Sequence, residues 1–569
     1  MKCNQKYTTR QHYNSDTWIV TAAWPTINDV PHLGTILQLL TGDVITRSLR
    51  LAGEKVISVT GSDAHGTPIL IGASKNGQDP VAFVHDLHER LVGLLEHWKI
   101  HYDHYTITTT PSHKRFVQSF YNDLNARKLL FAKETTQFFC PTCSRFLPDR
   151  FVEGECPKCH QTPARGDQCP NGLCGAILDP EELKNPYCKE CGSPPEQRAT
   201  THFFFDLQPF SKPLQEFLDK VHCPNNVIEE ARTIISSGLQ PRPITRDLIW
   251  GIDASNLGPK ASGKVYYVWA EDVLGYLSAS IKPLGKEWEN VWTDRRTRTV
   301  FCLGIDNLFF HAIWFPALLL ASSTSFVLPH ALVVSQFLQF EGHPFSKSLN
   351  RGIWVDQALE LAPADYWRFY LTYTRPEGKG HNFTWEQFTK VINSELIDTV
   401  GNLTRRVSVL AVNFLGGTLD LSFRDREHLK EFLGLVSQLI TDYRLLTLKL
   451  DIKKALVKTL ELASLSNSFL NQSSPWNEPK EDIRVTTISA VVCTTGWVGY
   501  LLSPVCPDIS SRILNQVGFH DPPKLNDWAI SNNLLESFGG GFANQVQTSS
   551  FFLEKLDLGH LKTSYERLK

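Results

Sequence analysis

Methionine is all but missing from this 569-residue chain, where Met1 is the only one. An excess of charge of either sign is missing too. Lys and Arg total 57 against 59 Asp and Glu, a net charge of −2, which excludes a protein held to polyanions by bulk charge but leaves room for a local basic groove. The opening segment MKCNQKYTTRQHYNSD lacks the apolar core of a secretory signal, so the chain reads as cytoplasmic. It holds no internal repeat and no low-complexity segment, and the glycines at 539–541 read as a loop or linker. Long uncharged runs are scarce. VTTISAVVCTTGWVGYLLSPVCP (485–507) has the length of a membrane span, but its threonines, glycines and prolines and its lack of a basic flank make it a buried bundle helix, so no membrane partner is expected. FFHAIWFPALLLASS (309–323) carries His311 and Pro316 and reads as core. What the chain does have is bulk: 42% hydrophobic and 20% charged residues, over a length that suits roughly three or four domains.

Cysteine is plentiful, and eight of the 13 fall between Cys140 and Cys191 as close pairs. The pairs are Cys140 with Cys143, Cys156 with Cys159, Cys169 with Cys174, and Cys188 with Cys191; only the third departs from a two-residue gap. Clustered pairs in a long chain without a signal read as metal ligands in a reducing compartment. Eight thiolates suffice for two tetrahedral zinc sites, structural ones, because four thiolates leave no open position for chemistry.

Around this region the pattern is α/β. TWIVTAAW (17–24) is an apolar strand ending at Pro25, LGTILQLLTGDVITRSLRLAG has helical spacing from Leu33 to a cap at Gly53, and KVISVTGSD is a second strand running into the loop DAHGTP. Strand, helix and strand joined by short turns make the βαβ unit of a doubly wound parallel sheet, whose ligands bind beyond the carboxyl ends of the strands. VYYVWAEDVLGY (265–276) and RTVFCLGIDNLFFHAIWF (298–315) are expected to repeat the same strand-then-polar-loop order. From about 390 to 515 the pattern is helical.

His32-Leu33-Gly34 stands at a strand-to-helix turn, where free N–H groups cradle phosphate and glycine permits close approach. Phe345-Ser346-Lys347-Ser348 places one point charge in a polar loop, which suits a polyphosphate during nucleotidyl transfer. With GSDAHGTP, YVW, GIDN, FLPDRFVEGECPKC, ITRDLIWGI and NSELIDTVGNLTRR, this set resembles the methionyl-tRNA synthetase family of class I aminoacyl-tRNA synthetases.

The resemblance implies a Rossmann-like catalytic domain (1–118 and 236–335) split by a zinc-binding connective insertion (119–235). A stem-contact region with the FSKS loop (336–388) and an α-helical anticodon-binding domain with its tail (389–569) follow. It implies ATP with Mg²⁺, one or two structural Zn²⁺ ions, methionine or an analogue, and a tRNA with a CAU anticodon as partners. The middle two cysteine pairs would share one zinc and the outer two the other. His32, Lys347, Arg246 and Asp306 become the catalytic candidates, with Gly34, Thr35, Gly304, Ser346 and Ser348 completing the ATP site. Asp63, Trp269, Tyr276 and His311 match the amino-acid pocket, and Asn402, Arg406 and Trp476 the anticodon readers. No appended binding domain follows about 555, which favours a monomer. In such a chain the lone Met1 means that synthesis consumes only the initiator residue.

Several positions depart from the family. Trp24 and Thr26 flank Pro25 where an apolar residue and a tyrosine are usual, Asp272-Val273 replaces Ala-Pro, and Asn307 replaces an isoleucine. Ile305 and Pro344 stand in place of lysines, and Thr35 in place of a histidine, leaving Lys347, His343 and Arg351 to meet the phosphates. A polar lining of Asp272 and Asn307 would make methionine a poorer ligand. Two other readings stay open here: a paralogue that activates a more polar amino acid or uses another acceptor, and a catalytically silent tRNA-binding protein.

Overall fold

The computed structural model describes residues 16–166, 168–171, 174, 176, 178–346, 350–421, 427–520, 525, 546 and 552–569. Its centre is a five-stranded parallel sheet of β1 (Thr17–Ala22), β2 (Lys55–Ser62), β3 (His104–Ile107), β4 (Arg298–Gly304) and β5 (Ala331–Ser335). The order is β5-β4-β1-β2-β3. Every residue of β1 and β5 is buried, because helices cover both faces of a parallel sheet and leave no polar side to alternate. Strand order reverses between β1 and β4, so a crevice opens at their carboxyl ends. Trp24 to Thr26 come just after the end of β1, Asp63 follows β2, and Gly304 closes β4 before Ile305 to Asn307.

Helix α1 (Leu33–Leu51) runs back from this crevice; its chain turns away at Gly53, whose φ of 92° lies in the region glycine favours. Between β3 and β4 sits the insertion, a long antiparallel pair of Leu130–Cys140 with Glu196–Phe205 and a small sheet of Val152–Glu155, Ala164–Arg165 and Lys184–Cys188. The segment 265–276, expected as a strand followed by a polar loop, is mostly helical. Only Val265–Tyr266 is extended, paired with Thr245–Arg246, and the chain then coils into α2 (Gly275–Leu284). Aromatic and β-branched residues imitated a strand there, but Ala270, Leu274 and Leu277 bury one face at helical spacing.

The helical part comprises α3 (Asn402–Leu415), α4 (Lys430–Leu448), α5 (Ile452–Ser473), α6 (Glu481–Leu502), α7 (Pro507–Val517) and, last, α8 (Leu558–Leu568). Among the described residues α6 is the one helix long and apolar enough to cross a membrane, and 89% of its most apolar stretch is buried inside the fold. The glycines at 539–541 lie outside the described residues.

One side chain ties the helical part to the sheet. Arg368, wholly buried, donates to Asp43 Oδ2 on α1 at 2.7 Å, to the carbonyls of Pro504 and Val505 at 2.8 Å each, and to those of Trp98 and Lys99 at 3.1 and 3.0 Å. Removing one member of a buried, hydrogen-bonded pair leaves the other charge stranded. Arg368→Ala is expected to lower unfolding stability by about 3–5 kcal/mol, read from the urea midpoint.

Candidate active site and cysteine clusters

His32 caps α1. Its Nδ1 accepts the Thr35 N–H at 3.3 Å, and its carbonyl accepts from Thr35 and Ile36 at 2.9 and 3.1 Å. A Cβ at Gly34 would lie 3.0 Å from the imidazole, so the glycine lets the ring fold back over the helix start. The segment after the FSKS motif zips onto this turn: Leu33 N–H donates to Ile353 at 3.1 Å and Val355 N–H to Pro31 at 3.0 Å. Phe345 stacks on His32 with centroids 4.6 Å apart and planes 13° from parallel. Ser346 and Arg351 exchange backbone hydrogen bonds of 2.8 and 2.9 Å, which pins the two ends of the loop. Lys347 and Ser348 lie outside the described residues.

The end of β4 meets the same helix start. A Cβ on Gly304 would collide with the Asp306 carboxylate and stand 2.9 Å from Gln38 of α1. Asn307 does not turn its amide toward His311; Nδ2 donates to Asp306 Oδ1 at 3.3 Å. Its carbonyl instead accepts from His311 Nδ1 at 3.0 Å. That leaves His311 Nε2 to accept the Tyr276 hydroxyl at 2.7 Å, and burial holds His311 neutral by lowering its pKa to about 4. The hydroxyl's proton is thereby committed.

Trp24 is wedged between β2 and α2. A Cβ at Gly61 would lie 2.6 Å from its ring and one at Gly275 2.7 Å, so both glycines are needed to admit the indole. Tyr276 meets it edge-on at 6.4 Å. Trp269, half-buried, packs against Phe310 at 4.6 Å and Tyr267 at 5.6 Å, and the Arg246 guanidinium lies 3.8 Å over the Tyr267 ring. Trp24 Nε1 and Asp272 Oδ1 are buried without a hydrogen-bond partner.

The carboxylates behind this pocket interact. Thr26 Oγ1 donates to Asp63 Oδ2 at 2.8 Å and the His65 N–H to Oδ1 at 3.3 Å. Burial first, then the Glu271 charge, nevertheless pushes the Asp63 carboxyl up to about 8. Burial and the charges of Asp63 and Glu271 drive Asp272 well above the usual carboxylate range. Glu271 behaves oppositely. Burial alone would raise it, but His65 Nδ1 at 2.6 Å and His113 Nε2 at 2.7 Å outweigh that and hold it below its ordinary value. Sequence reasoning passed over Glu271, His65 and His113. The available signal was an acid inside the apolar run VYYVWAEDVLGY, which needs a partner if buried.

The eight cysteines form two groups, Cys140, Cys143, Cys188 and Cys191, and Cys156, Cys159, Cys169 and Cys174, with sulfurs within 4.8 Å of one another in each. Cys140–Cys191, Cys143–Cys188 and Cys159–Cys169 separations of 3.4, 3.9 and 3.5 Å are too long for disulfides. They fit four sulfurs around one ion, whose tetrahedral edge is about 3.8 Å for zinc. On the helical side Asn402 is exposed at the start of α3, and Arg406 is held by Asn467 Oδ1 at 3.2 Å and Asn471 Oδ1 at 2.7 Å on α5. Trp476, just beyond α5, is 39% exposed.

A capped His-Leu-Gly helix start and the Phe-Ser loop zipped to it thus lie together beyond the carboxyl end of β1, in the doubly wound sheet. The family described as tRNA synthetases class I (M) matches residues 18–408. The methionine–tRNA ligase of Korarchaeum cryptofilum is 41% identical over 515 residues, 89% of this chain and 91% of that protein. That of Thermofilum pendens is 40% identical over 566 residues, 97% of each. In fold, the chain is similar to a Mycobacterium tuberculosis methionyl-tRNA synthetase solved with methionyl-adenylate, with a TM-score of 0.76 at 21% identity, covering 94% of this chain and 99% of that one. The chain belongs to the methionyl-tRNA synthetase family.

The raised Asp63 group has a pH signature. The unfolded chain loses this proton above 3.8 and the native one only near 8, so the stability the group contributes falls as pH rises across that window. Asp63→Asn, which cannot ionise, is expected to flatten that fall when urea midpoints are compared between pH 4 and 8.

Proposed function

We infer that this chain activates methionine with ATP and transfers it to a tRNA bearing a CAU anticodon. The observation that carries the reading is the meeting of His32, Phe345 and the pinned Ser346–Arg351 loop at the carboxyl end of β1, one strand from the Asp63 pocket. A methionine carboxylate oxygen attacks the α-phosphorus of ATP, the bond to the bridging oxygen breaks, and pyrophosphate leaves. The terminal ribose hydroxyl of tRNA then attacks the adenylate carbonyl and releases AMP.

His32 and Lys347 stabilise charge on the phosphates, Gly34, Thr35, Ser346 and Ser348 line their path, and Gly304 with Asp306 holds the nucleoside side. Arg246, which lies over the Tyr267 ring, would meet the charge that develops on the phosphates. Asp63 pairs with the substrate ammonium, and in doing so gives up the proton that burial makes it keep. Trp24, Trp269, Tyr276 and His311 surround the thioether, with Asp272, kept neutral, behind them and Thr26 steadying Asp63. Mg²⁺ would accompany ATP and neutralise phosphate charge. Asn402, Arg406 and Trp476 supply an amide, a guanidinium and an exposed indole for anticodon bases. The methionine–tRNA ligase relatives support this reading over the paralogue and silent-binder alternatives.

ATP–pyrophosphate exchange tests it. Exchange is expected with methionine alone among the amino acids, and Lys347→Ala is expected to slow it by about 10²–10³; exchange driven by another amino acid in place of methionine would sink the reading. The cysteine clusters are proposed to hold one structural Zn²⁺ each, since their sulfur spacing fits and leaves no open position. Elemental analysis is expected to find two zinc equivalents per chain, and one after Cys188→Ser, with the insertion losing protease resistance when chelator strips the rest.

A further inference from the structure

Tyr565 lies on α8, far along the chain from every residue so far given a chemical role. It is 3% exposed, and its hydroxyl donates to the Gly352 carbonyl at 2.7 Å. Its ring rests on Phe340 and Trp385, with centroids 5.5 and 5.2 Å away. Two further bonds hold the same helix to the same segment, Asn350 Nδ2 to the Lys569 carbonyl at 3.1 Å and Gln357 Nε2 to the Leu568 carbonyl at 3.2 Å.

The gripped residue is unusual. Gly352 has a φ of 144°, and a Cβ there would collide with the Phe345 ring and stand 3.0 Å from Trp354. Phe345 therefore packs closely against Gly352, and its ring is the one stacked on His32. Contacts run without a gap from the Tyr565 hydroxyl through Gly352 and Phe345 to His32. The backbone zip of Leu33 with Ile353 and Pro31 with Val355 joins the same two segments one residue further on, so Gly352 cannot shift without moving the helix cap.

We propose that Tyr565 is a positioning residue for the nucleotide end of the site: its hydroxyl fixes the Gly352 carbonyl, which sets where Phe345 lies on His32 and so where His32 meets the ATP phosphates. This rests on the adenylate-forming reading above and adds a residue to it from the opposite end of the chain. The Lys562–Glu386 ion pair of the same helix lies at its exposed rim and touches none of these groups, so it serves as the control.

Tyr565→Phe removes the hydroxyl and keeps the ring. Dissociation constants for ATP with Mg²⁺ and for methionine are measured separately by equilibrium dialysis on the full chain, for wild type, Tyr565→Phe and Lys562→Ala. The expected result is ATP binding weakened about threefold to tenfold in Tyr565→Phe, the worth of one hydrogen bond, with methionine binding as in wild type and Lys562→Ala unchanged for both ligands. The split between the two ligands decides, because stranding a buried carbonyl lowers the unfolding midpoint whatever its role. Wild-type ATP affinity in Tyr565→Phe overturns the proposal, and so does an equal loss for ATP and methionine, which reports loose docking of the helix. If wild type binds ATP but shows no methionine-dependent exchange, and Tyr565→Phe still loses ATP alone, the adenylation reading fails and the positioning role stands. A wild-type chain that does not bind ATP overturns both.

Discussion

The packing around Asp63 and Trp24 depends on one ion, the fully buried carboxylate of Glu271. Left unpaired it would cost several kcal/mol, so the fold must deliver partners to both oxygens. His65 arrives from the loop after β2 and His113 from the helix Pro111–Ala126, while Glu271 itself precedes α2. Three segments remote in sequence are thus tied to one mutual placement, in which Tyr276 meets Trp24 edge-on and Thr26 holds Asp63. The same negative charge helps keep the protons of Asp63 and Asp272 in place. Charge is therefore concentrated on Glu271, while burial and that charge together favour the protonated forms of Asp63 and Asp272.

The His32 turn is organised differently. Among the described residues it is held by a capped helix start, two backbone hydrogen bonds and a stack of Phe345 on His32 rather than by a buried ion pair. Such contacts are weak singly and directional together. The two regions meet at the reversal of strand order, where β1 and β4 part.

Much of this was legible in the sequence, for local reasons. β1, α1 and β2 begin and end where apolar period, Pro25 and Gly53 said they would, because each is set by neighbours in the chain. The two cysteine groups combine the pairs that the family resemblance implied. The run 265–276 was misread because its composition favours strand while the space beside β2 and the helix Pro111–Ala126 accepts only a helix. Glu271 was overlooked because its partners sit 206 and 158 residues away, and nothing local marks a histidine that will meet it. Pairings of that range are products of topology, which a linear pattern does not carry.

Trp24 sits where only the missing side chains of Gly61 and Gly275 leave room. The three positions behave as one character. A descendant that enlarges either glycine must shrink residue 24 in the same step or pass through a form whose pocket is jammed, and a smaller residue at 24 would open a void between sheet and helix until a neighbour grew to fill it. The width of the pocket is thus inherited as a set rather than tuned residue by residue, and change there comes in jumps.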